Sequence, residues 1–139
     1  LPESFGLLAA LRVLVISCFD INKMKFPESM SMLKGLKELT INLALQEQLP
    51  DFIKDLKTLE KLKCNNSNLK ELPEWIGKLK QLKILNISSN PLKSLPASIT
   101  ELTALSELYI GRTAFAKKFP DKISGQDNIQ DFFKKIDLK

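Results

Sequence analysis

The sequence predicts an α/β fold built as a solenoid, in which each coil of chain adds one strand to a parallel sheet. Two observations support this prediction. A Leu-Pro or Phe-Pro dipeptide recurs along the whole chain, and apolar residues fall at matching positions between the dipeptides. A fixed period of roughly 20 to 50 residues is typical of repeat architectures. The prolines that mark the units are Pro2, Pro27, Pro50, Pro73, Pro96 and Pro120, so we expect about six repeats, starting near residues 1, 26, 49, 72, 95 and 119.

The second half of each repeat is predicted to be a short strand. Residues 72–94, LPEWIGKLKQLKILNISSNPLKS, show the pattern best. Leu85 and Ile87 alternate with Ile84, Asn86 and Ser88, and this two-residue period is that of a strand with one buried face. Leu85 and Ile87 are therefore expected to point inward. Because every coil runs in the same direction, strands that occupy the same place in each coil are expected to be parallel.

The first half of each repeat is predicted to be a return path outside the sheet. Proline has no N–H to donate, so it fits a turn or the first turn of a short helix better than a central strand. A single coil cannot bury its own apolar edge, and stacked coils bury it against one another. The apolar columns are Phe5, Met30, Ile53, Ile76, Ile99 and Ile123; Leu8, Leu33, Leu56, Leu79 and Leu102; Leu11, Leu36, Leu59, Leu82, Leu105 and Ile129; Leu14, Leu39, Leu62, Leu85 and Leu108; and Ile16, Ile41, Cys64, Ile87 and Ile110.

The end of the chain departs from this pattern. A sixth strand in register over residues 129–134 would place Lys134 in the core, and burying an unpaired ammonium group is costly. If DNIQDFFKKI is instead helical, its apolar residues share one face and Asp127 or Asn128 can serve as the N-cap. The helix is favoured, and residues 127–139 are expected to cap the last coil with either structure. The apolar face of the helix would hold Ile129, Phe132, Phe133 and Ile136.

The composition is that of one globular domain spanning residues 1–139. The chain is 44% hydrophobic and 27% charged, which provides enough apolar material for a continuous core. No run approaches the roughly 18 apolar residues of a membrane span, and residues 1–17 lack the basic start and cleavage site of a signal peptide. We therefore expect a cytoplasmic protein. A secreted or bacterial surface protein is the alternative if upstream residues have been removed, because LPESF begins in the middle of a repeat.

The repeat of residues 72–94 resembles a 23-residue leucine-rich repeat, LPxxIxxLxxLxxLxLxxNxLxx, and the resemblance extends over essentially the whole chain. It implies a right-handed solenoid with a parallel sheet on the concave face and short helical or irregular segments on the convex face. It also implies binding to other macromolecules, most often proteins, and it is similar to patterns in bacterial and intracellular proteins. The family's loop asparagine is present only as Asn90, and irregular turns are expected where it is replaced. The replacements are Phe19, Ala44, Ser67 and Thr113.

Catalysis is not expected from this chain. The sequence has no histidine, which removes the usual general base, the common nucleophile pairs and most metal sites. The carboxylates are scattered over polar positions without a repeated pair. Cys64 lies in a core column and Cys18 lies two coils away, which is too far for a disulfide. We therefore predict a protein that is not an enzyme and has no cofactor or metal.

The basic character of the chain raises the possibility of a nucleic-acid partner. The net charge is +5, and Lys34, Lys57 and Lys80 recur at one position per repeat. Acidic residues interrupt the predicted strands, however, and no row of aromatic residues is available to stack bases. A protein partner is therefore favoured over nucleic acid. The alternative is that the chain is the targeting segment of a larger enzyme or bacterial effector whose catalytic domain lies outside it.

The predicted binding surface is the outward-facing side of the strands. Ile84 and Tyr109 are expected to act as apolar anchors, with Lys61, Lys63 and Arg112 as a charged rim. The full set of predicted contact residues is Glu38, Thr40, Asn42, Lys61, Lys63, Asn65, Ile84, Asn86, Ser88, Glu107, Tyr109 and Arg112.

The first strand, VLVIS, is apolar on both faces. Val13 and Val15 are therefore expected to be covered by upstream residues or by a partner, and self-association through the first repeat is one such possibility.

Overall fold

The computed structural model describes residues 1–18, 24–43 and 47–139. Those residues form a six-stranded sheet in which neighbours in sequence are neighbours in space. The first five strands are parallel, as predicted. The strands are β1 (Val13–Cys18), β2 (Glu38–Leu43), β3 (Lys61–Lys63), β4 (Ile84–Asn86), β5 (Glu107–Tyr109) and β6 (Lys122–Ser124).

The register of the sheet follows the repeat. Leu39 pairs with Leu62, Leu62 with Leu85, and Leu85 with Leu108, so each coil advances by one strand without a shift. These four leucines are fully buried. The inward columns predicted from the spacing are therefore the core of the molecule.

The return paths are short 3₁₀ helices, and each begins directly after a repeat proline. The proline adopts an extended conformation, and the leucine that ends each helix donates its N–H to the carbonyl three residues earlier, as Leu79 does to Ile76. Within residues 1–18, 24–43 and 47–139, five such turns lie opposite the sheet, which confirms the short convex segments. They are Glu3–Leu7, Glu28–Met32, Asp51–Asp55, Glu74–Lys78 and Ala97–Glu101.

Asn90 joins two coils through its side chain. Its Oδ1 accepts hydrogen bonds from the backbone N–H groups of Ser67 (3.0 Å) and Leu69 (2.9 Å), and its Nδ2 donates to the carbonyls of Cys64 and Ile87 (both 2.9 Å). Asn90 is 2% exposed. Without this amide, four backbone groups would lose their partners in the interior.

The turns that lack this asparagine are more regular than expected. Thr113 is buried and donates its hydroxyl hydrogen to the Ile110 carbonyl (2.7 Å), and Ser67 donates to the Ile41 carbonyl (3.0 Å). The residue before Ser67, Asn90 and Thr113 has a positive φ in each case: 56° at Asn66, 56° at Ser89 and 59° at Arg112. The expectation of irregular turns is wrong at these two positions, because a buried hydroxyl can satisfy the backbone there. Phe19 and Ala44 lie outside the described residues.

The parallel order ends at β6, which pairs antiparallel with β5, contrary to the sequence prediction. The starts of β3, β4 and β5 are 23 residues apart, at 61, 84 and 107, but β6 already begins at Lys122. That connection is too short for another full coil, so the chain returns to the sheet edge from the opposite direction. Ile123, predicted to lie on a return path, instead points into the core from β6.

The C-terminal segment forms the predicted helical cap. Helix α1 spans Gln126–Phe133 and buries Ile129, Phe132 and Phe133 against the last coil. Lys134 follows the helix, is exposed and pairs with Asp131. The predicted N-cap is wrong, because the helix begins earlier: Gly125, with φ of 91°, precedes it and no side chain caps its first turn. Beyond the helix, Leu138 bridges to Leu95 and the Ala97 N–H donates to the Lys139 carbonyl.

The two ends of the solenoid differ in how well the core is covered. Leu8 is 47% exposed, whereas its equivalents Leu33, Leu56, Leu79 and Leu102 are completely buried. Leu11 and Leu14 are also only partly covered. The side of the first coil that holds Leu8, Leu11 and Leu14 is therefore partly exposed. In each later coil the equivalent side packs against the preceding coil.

The two cysteines are not joined by a disulfide. Cys64 is fully buried between Ile41 and Ile87, and burial raises the pKa of its thiol to about 12. This thiol is therefore a small core residue and not a nucleophile at neutral pH.

Candidate binding surface

The side of the sheet that faces away from the core, called here the outer face, carries most of the predicted contact residues. It lies on the concave side of this fold. The alternation of side chains along each strand places them there, since the middle residues Leu62, Leu85 and Leu108 are buried and their neighbours on each side are only partly buried. The outer face comprises Val13, Val15, Ser17, Glu38, Thr40, Asn42, Lys61, Lys63, Ile84, Asn86, Glu107, Tyr109, Lys122 and Ser124.

Two rows of side chains cross the outer face at right angles to the strands. Neighbouring strands in a sheet are about 4.8 Å apart, so residues in one row are immediate neighbours. The first row is Val13, Glu38, Lys61, Ile84, Glu107 and Ser124, and the second row is Val15, Thr40, Lys63, Asn86, Tyr109 and Lys122. Each row begins with an exposed valine and becomes charged or polar toward β6.

The C-terminal end of the outer face contains a closed cluster of three side chains. Tyr109 donates its hydroxyl hydrogen to Glu107 Oε2 (2.7 Å), Lys122 Nζ lies 3.0 Å from the same oxygen, and the ammonium of Lys122 lies 4.9 Å from the centroid of the Tyr109 ring. The hydrogen bond from Tyr109, and then the one from Lys122, lower the pKa of Glu107. The contacts with Tyr109 and Glu107 raise the pKa of Lys122. Tyr109 is thus held in one orientation, with its ring partly exposed.

Another ion pair lies within the first row: Lys61 Nζ is 3.0 Å from Glu38 Oε2. Ile84 lies next to Lys61 in that row and is half-buried. An apolar side chain therefore stands between a basic and an acidic neighbour, both of which already have partners.

A third set of charged side chains, Lys37, Glu60 and Lys83, lies just before the strands β2, β3 and β4 begin. Glu60 accepts hydrogen bonds from Lys37 (2.8 Å) and Lys83 (2.7 Å), which come from the preceding and following coils. The bond from Lys37, followed by the one from Lys83, lowers the pKa of Glu60 to about 2. These three residues tie successive coils together at the rim of the outer face.

The centre of the second row is different, because hydrogen-bond donors there have no acceptor among the described residues. The half-buried side chain of Lys63 forms no ion pair and no hydrogen bond with the described residues. Its neighbours in the row are Thr40 and Asn86. Asn86 Oδ1 accepts from the N–H and hydroxyl of Ser88 (3.1 and 2.6 Å), which leaves its NH₂ group without an acceptor within the described part of the chain.

The structure brings together eleven of the twelve predicted contact residues. Asn65 and Ser88 lie two residues beyond the ends of β3 and β4 and extend the outer face. Arg112 is the exception, since it lies on the turn after β5 and is exposed. An open groove of about 250 Å³ separates that turn from the one before it, and Ser88, Ser89, Tyr109, Gly111, Arg112 and Asp121 line it.

Lys122 and Ser124 are outer-face residues that the sequence prediction missed. Their positions depend on the antiparallel pairing of β6, which places Lys122 opposite Tyr109. The sequence does contain one signal of this change, because the column of Leu79 and Leu102 has no sixth leucine; Gln126 occupies that place.

The described residues contain no group of three or more acidic or cysteine side chains that could hold a metal ion. They also contain no helix long and apolar enough to span a bilayer.

Comparison with known proteins identifies the repeat. Residues 57–115 match the family model described as Leucine rich repeat. A leucine-rich-repeat protein of Leptospira interrogans is 27% identical, with a TM-score of 0.69 over 100% of this chain and 33% of that one. This similarity confirms the resemblance drawn from the sequence. None of the curated proteins matches the chain.

Plant proteins of known structure are also similar. The plant peptide hormone receptor RGFR1, solved in complex with RGF2, is 26% identical, with a TM-score of 0.61 over 81% of this chain and 18% of that one. The structure of PEPR1 with AtPEP1 is 28% identical, with a TM-score of 0.61 over 81% of this chain and 16% of the other. The chain spans about a third or less of the length of each of these three proteins.

Proposed function

We propose that this chain, a leucine-rich-repeat solenoid, is a non-catalytic module that binds a partner protein on its outer face. Proteins with this fold serve as interaction modules, and the structures of RGFR1 and PEPR1 are of complexes with RGF2 and AtPEP1. The observation that carries the proposal is the fixed position of the Tyr109 ring, diagonally across β4 and β5 from half-buried Ile84, among charged groups that are already paired. Aromatic side chains in preorganised positions are typical binding hot spots.

The mixed charges favour a protein over a polyanion. Glu38, Glu60 and Glu107 lie among the lysines of the outer face and its rim, and each is bonded to one or two of them. A nucleic-acid surface needs several unpaired cations along a track. The interpretation of the chain as the targeting segment of a larger enzyme gives the outer face the same binding role, and differs only in what is joined to the solenoid.

The test is to capture a partner from a cell extract of the source and compare variants for binding to it. Tyr109→Ala is expected to weaken binding by at least about 1 kcal/mol, since it removes the ordered ring. Lys34→Ala and Lys57→Ala, on the return path, are the controls and should change the affinity little. A silent Tyr109→Ala, with the lysine variants dominant and the affinity collapsing in salt, would show that the outer face is not the binding surface.

We also propose that the first coil mediates self-association. Val13 and Val15 are 54% and 63% exposed on β1, the first strand of the described sheet. An antiparallel pair of β1 strands centred on Val15 would continue the sheet and place Val15 against its copy. The antiparallel addition of β6 at the other edge shows that this sheet accepts such a strand.

Sedimentation equilibrium tests this second proposal. The unmodified chain should show a concentration-dependent dimer, and Val15→Lys should give a monomer, because it places two ammonium groups at the centre of the pair. Lys93→Ala, far from β1, is the control. A chain that stays monomeric at every concentration refutes the proposal.

A further inference from the structure

The charges on the outer face are paired almost completely, and the exception lies at its centre. Lys61 is paired with Glu38, and Lys122 with Glu107, at 3.0 Å each. Lys63 is the remaining charged side chain of the sheet, and it has no partner among the described residues. One cation is therefore available on this surface.

Lys63 is also less exposed than a solvated lysine. Its side chain is half-buried in the row between Thr40 and Asn86, where the neighbouring strands limit its contact with water. Lysine side chains of this kind usually find an acceptor, because partial removal of an ammonium group from water costs free energy that a hydrogen-bonded anion offsets.

The neighbours of Lys63 add hydrogen-bond donors. The hydroxyl of Thr40 and the NH₂ group of Asn86 make no hydrogen bond as donors to the described residues. Three donors thus lie side by side across three adjacent strands, a span of roughly 10 Å. We call Thr40, Lys63 and Asn86 the donor row.

We propose that the donor row binds the carboxylate of an aspartate or glutamate in an extended segment of the partner protein. This inference rests on the proposed function and specifies the chemistry of the partner. A carboxylate has two acceptor oxygens and one negative charge, which match one ammonium group flanked by neutral donors. Tyr109 lies next to Asn86 in the second row, and Ile84 lies two residues before Asn86 on β4. Both would contact the apolar residues around that acid.

A single unpaired cation argues against a nucleic acid as the ligand. Each phosphate neutralised by the protein steepens the salt dependence of binding, and one lysine accounts for a slope of only about −1 in a plot of log affinity against log salt. An acidic peptide segment needs no more than that one contact.

Selection from a random twelve-residue peptide display library tests the proposal. Peptides selected on the unmodified protein should share one acidic position, and that preference should disappear on Lys63→Gln. On Lys63→Glu the same position should become Lys or Arg. Lys93→Gln, an exposed lysine outside the sheet, is the matched control and should keep the acidic preference. An absence of any selected peptide, or an acidic preference that survives Lys63→Gln, overturns the proposal.

Anisotropy titration of one selected peptide gives the quantitative version. Its Gln-for-Glu analogue should bind the unmodified protein about tenfold more weakly, as expected for a hydrogen bond to a charged group. The two peptides should bind Lys63→Gln equally. Selected peptides that need Tyr109 but carry no acid would refute the donor-row proposal and leave the proposed function standing. Peptides insensitive to Tyr109→Ala would instead refute the proposed function. Binding of a twelve-residue oligouridylate that Lys63→Gln abolishes would identify RNA and also overturn the proposal.

Discussion

At the scale of single residues, hydrogen bonds join neighbouring coils. Asn90 reaches from its own turn to the preceding coil, and Glu60 reaches both to the coil before and to the coil after its own. The apolar columns set the register of the strands, and these side chains add contacts between coils in the turns and at the rim. These polar contacts support the same alignment, because each requires its partner at a set position.

Replacing Asn90 with alanine should destabilise the fold by at least about 2 kcal/mol. The substitution leaves buried N–H and carbonyl groups of the Asn90 and Ser67 turns without partners, and each such group costs about 1 to 3 kcal/mol. Urea denaturation followed by far-UV circular dichroism measures the change. Asn65→Ala is the control, because the Asn65 side chain makes no hydrogen bond to the described residues, and its cost should stay below about 0.5 kcal/mol. Equal costs for the two variants would contradict this role of Asn90.

The Glu60 ion pairs should make stability depend on acid pH. The folded state lowers the pKa of Glu60 from 4.5 to about 2, so it favours the charged carboxylate. The resulting stabilisation is fully present above about pH 4.5 and is lost as the pH falls toward 2. The difference in melting temperature between the unmodified protein and Glu60→Gln should therefore shrink over that range. Glu28→Gln, which removes a carboxylate that has no ion pair with the described residues, is the control. A constant difference for Glu60→Gln would contradict the assignment.

At the scale of elements, the sequence predicts the regular repeats and the C-terminal helix, but not the antiparallel strand β6 or the residue at which the helix begins. The columns of Leu62, Leu85 and Leu108 predict strand positions, facing and register because a side chain every second residue has only one way to reach a core. The direction of β6 depends on how a shortened connection closes, and no local pattern encodes that. The sequence predicts Asp127 or Asn128 as the N-cap, because such side chains commonly cap helices. The helix instead follows Gly125, whose φ of 91° favours glycine.

The same distinction applies to the candidate site. The alternation of inward and outward side chains along β4 and β5 is enough to predict that Ile84 and Tyr109 lie on the outer face. The bond from Tyr109 to Glu107 joins residues two apart on one strand, whereas the contact with Lys122 required the fold of the last segment. Whether Lys63 has a partner depends on the positions of side chains in the folded molecule, and these could not be predicted from the sequence.

The cap is predicted to stabilise the whole solenoid through Phe132. This ring is 4% exposed and packs edge-on against Phe119, with 4.9 Å between centroids. Phe132→Ala should cost about 3 to 5 kcal/mol, as buried aromatic truncations do. Lys135→Ala, exposed just beyond the same helix, should cost less than about 0.5 kcal/mol. Urea denaturation monitored by circular dichroism compares them, and a cost for Phe132→Ala no larger than that of Lys135→Ala would mean that α1 does not cover the core.

At the scale of the whole molecule, the solenoid separates a buried, repetitive core from a varied surface. The core columns hold almost the same residue in every coil, whereas the rows of the outer face change from valine to charged pairs to an aromatic cluster. Such a surface can recognise one partner without altering the fold, because outward side chains contribute little to the packing of the coils.

Site-specific photocross-linking tests the central claim, that a partner protein binds the outer face, most directly. A benzophenone amino acid is placed at Ile84 on the outer face in one sample and at Lys57 on the return path in another. After irradiation with the captured partner, mass spectrometry should find cross-linked partner peptides from position 84 and none from position 57. Cross-links from position 57 with none from position 84 would show that the partner binds the convex side and would contradict the account.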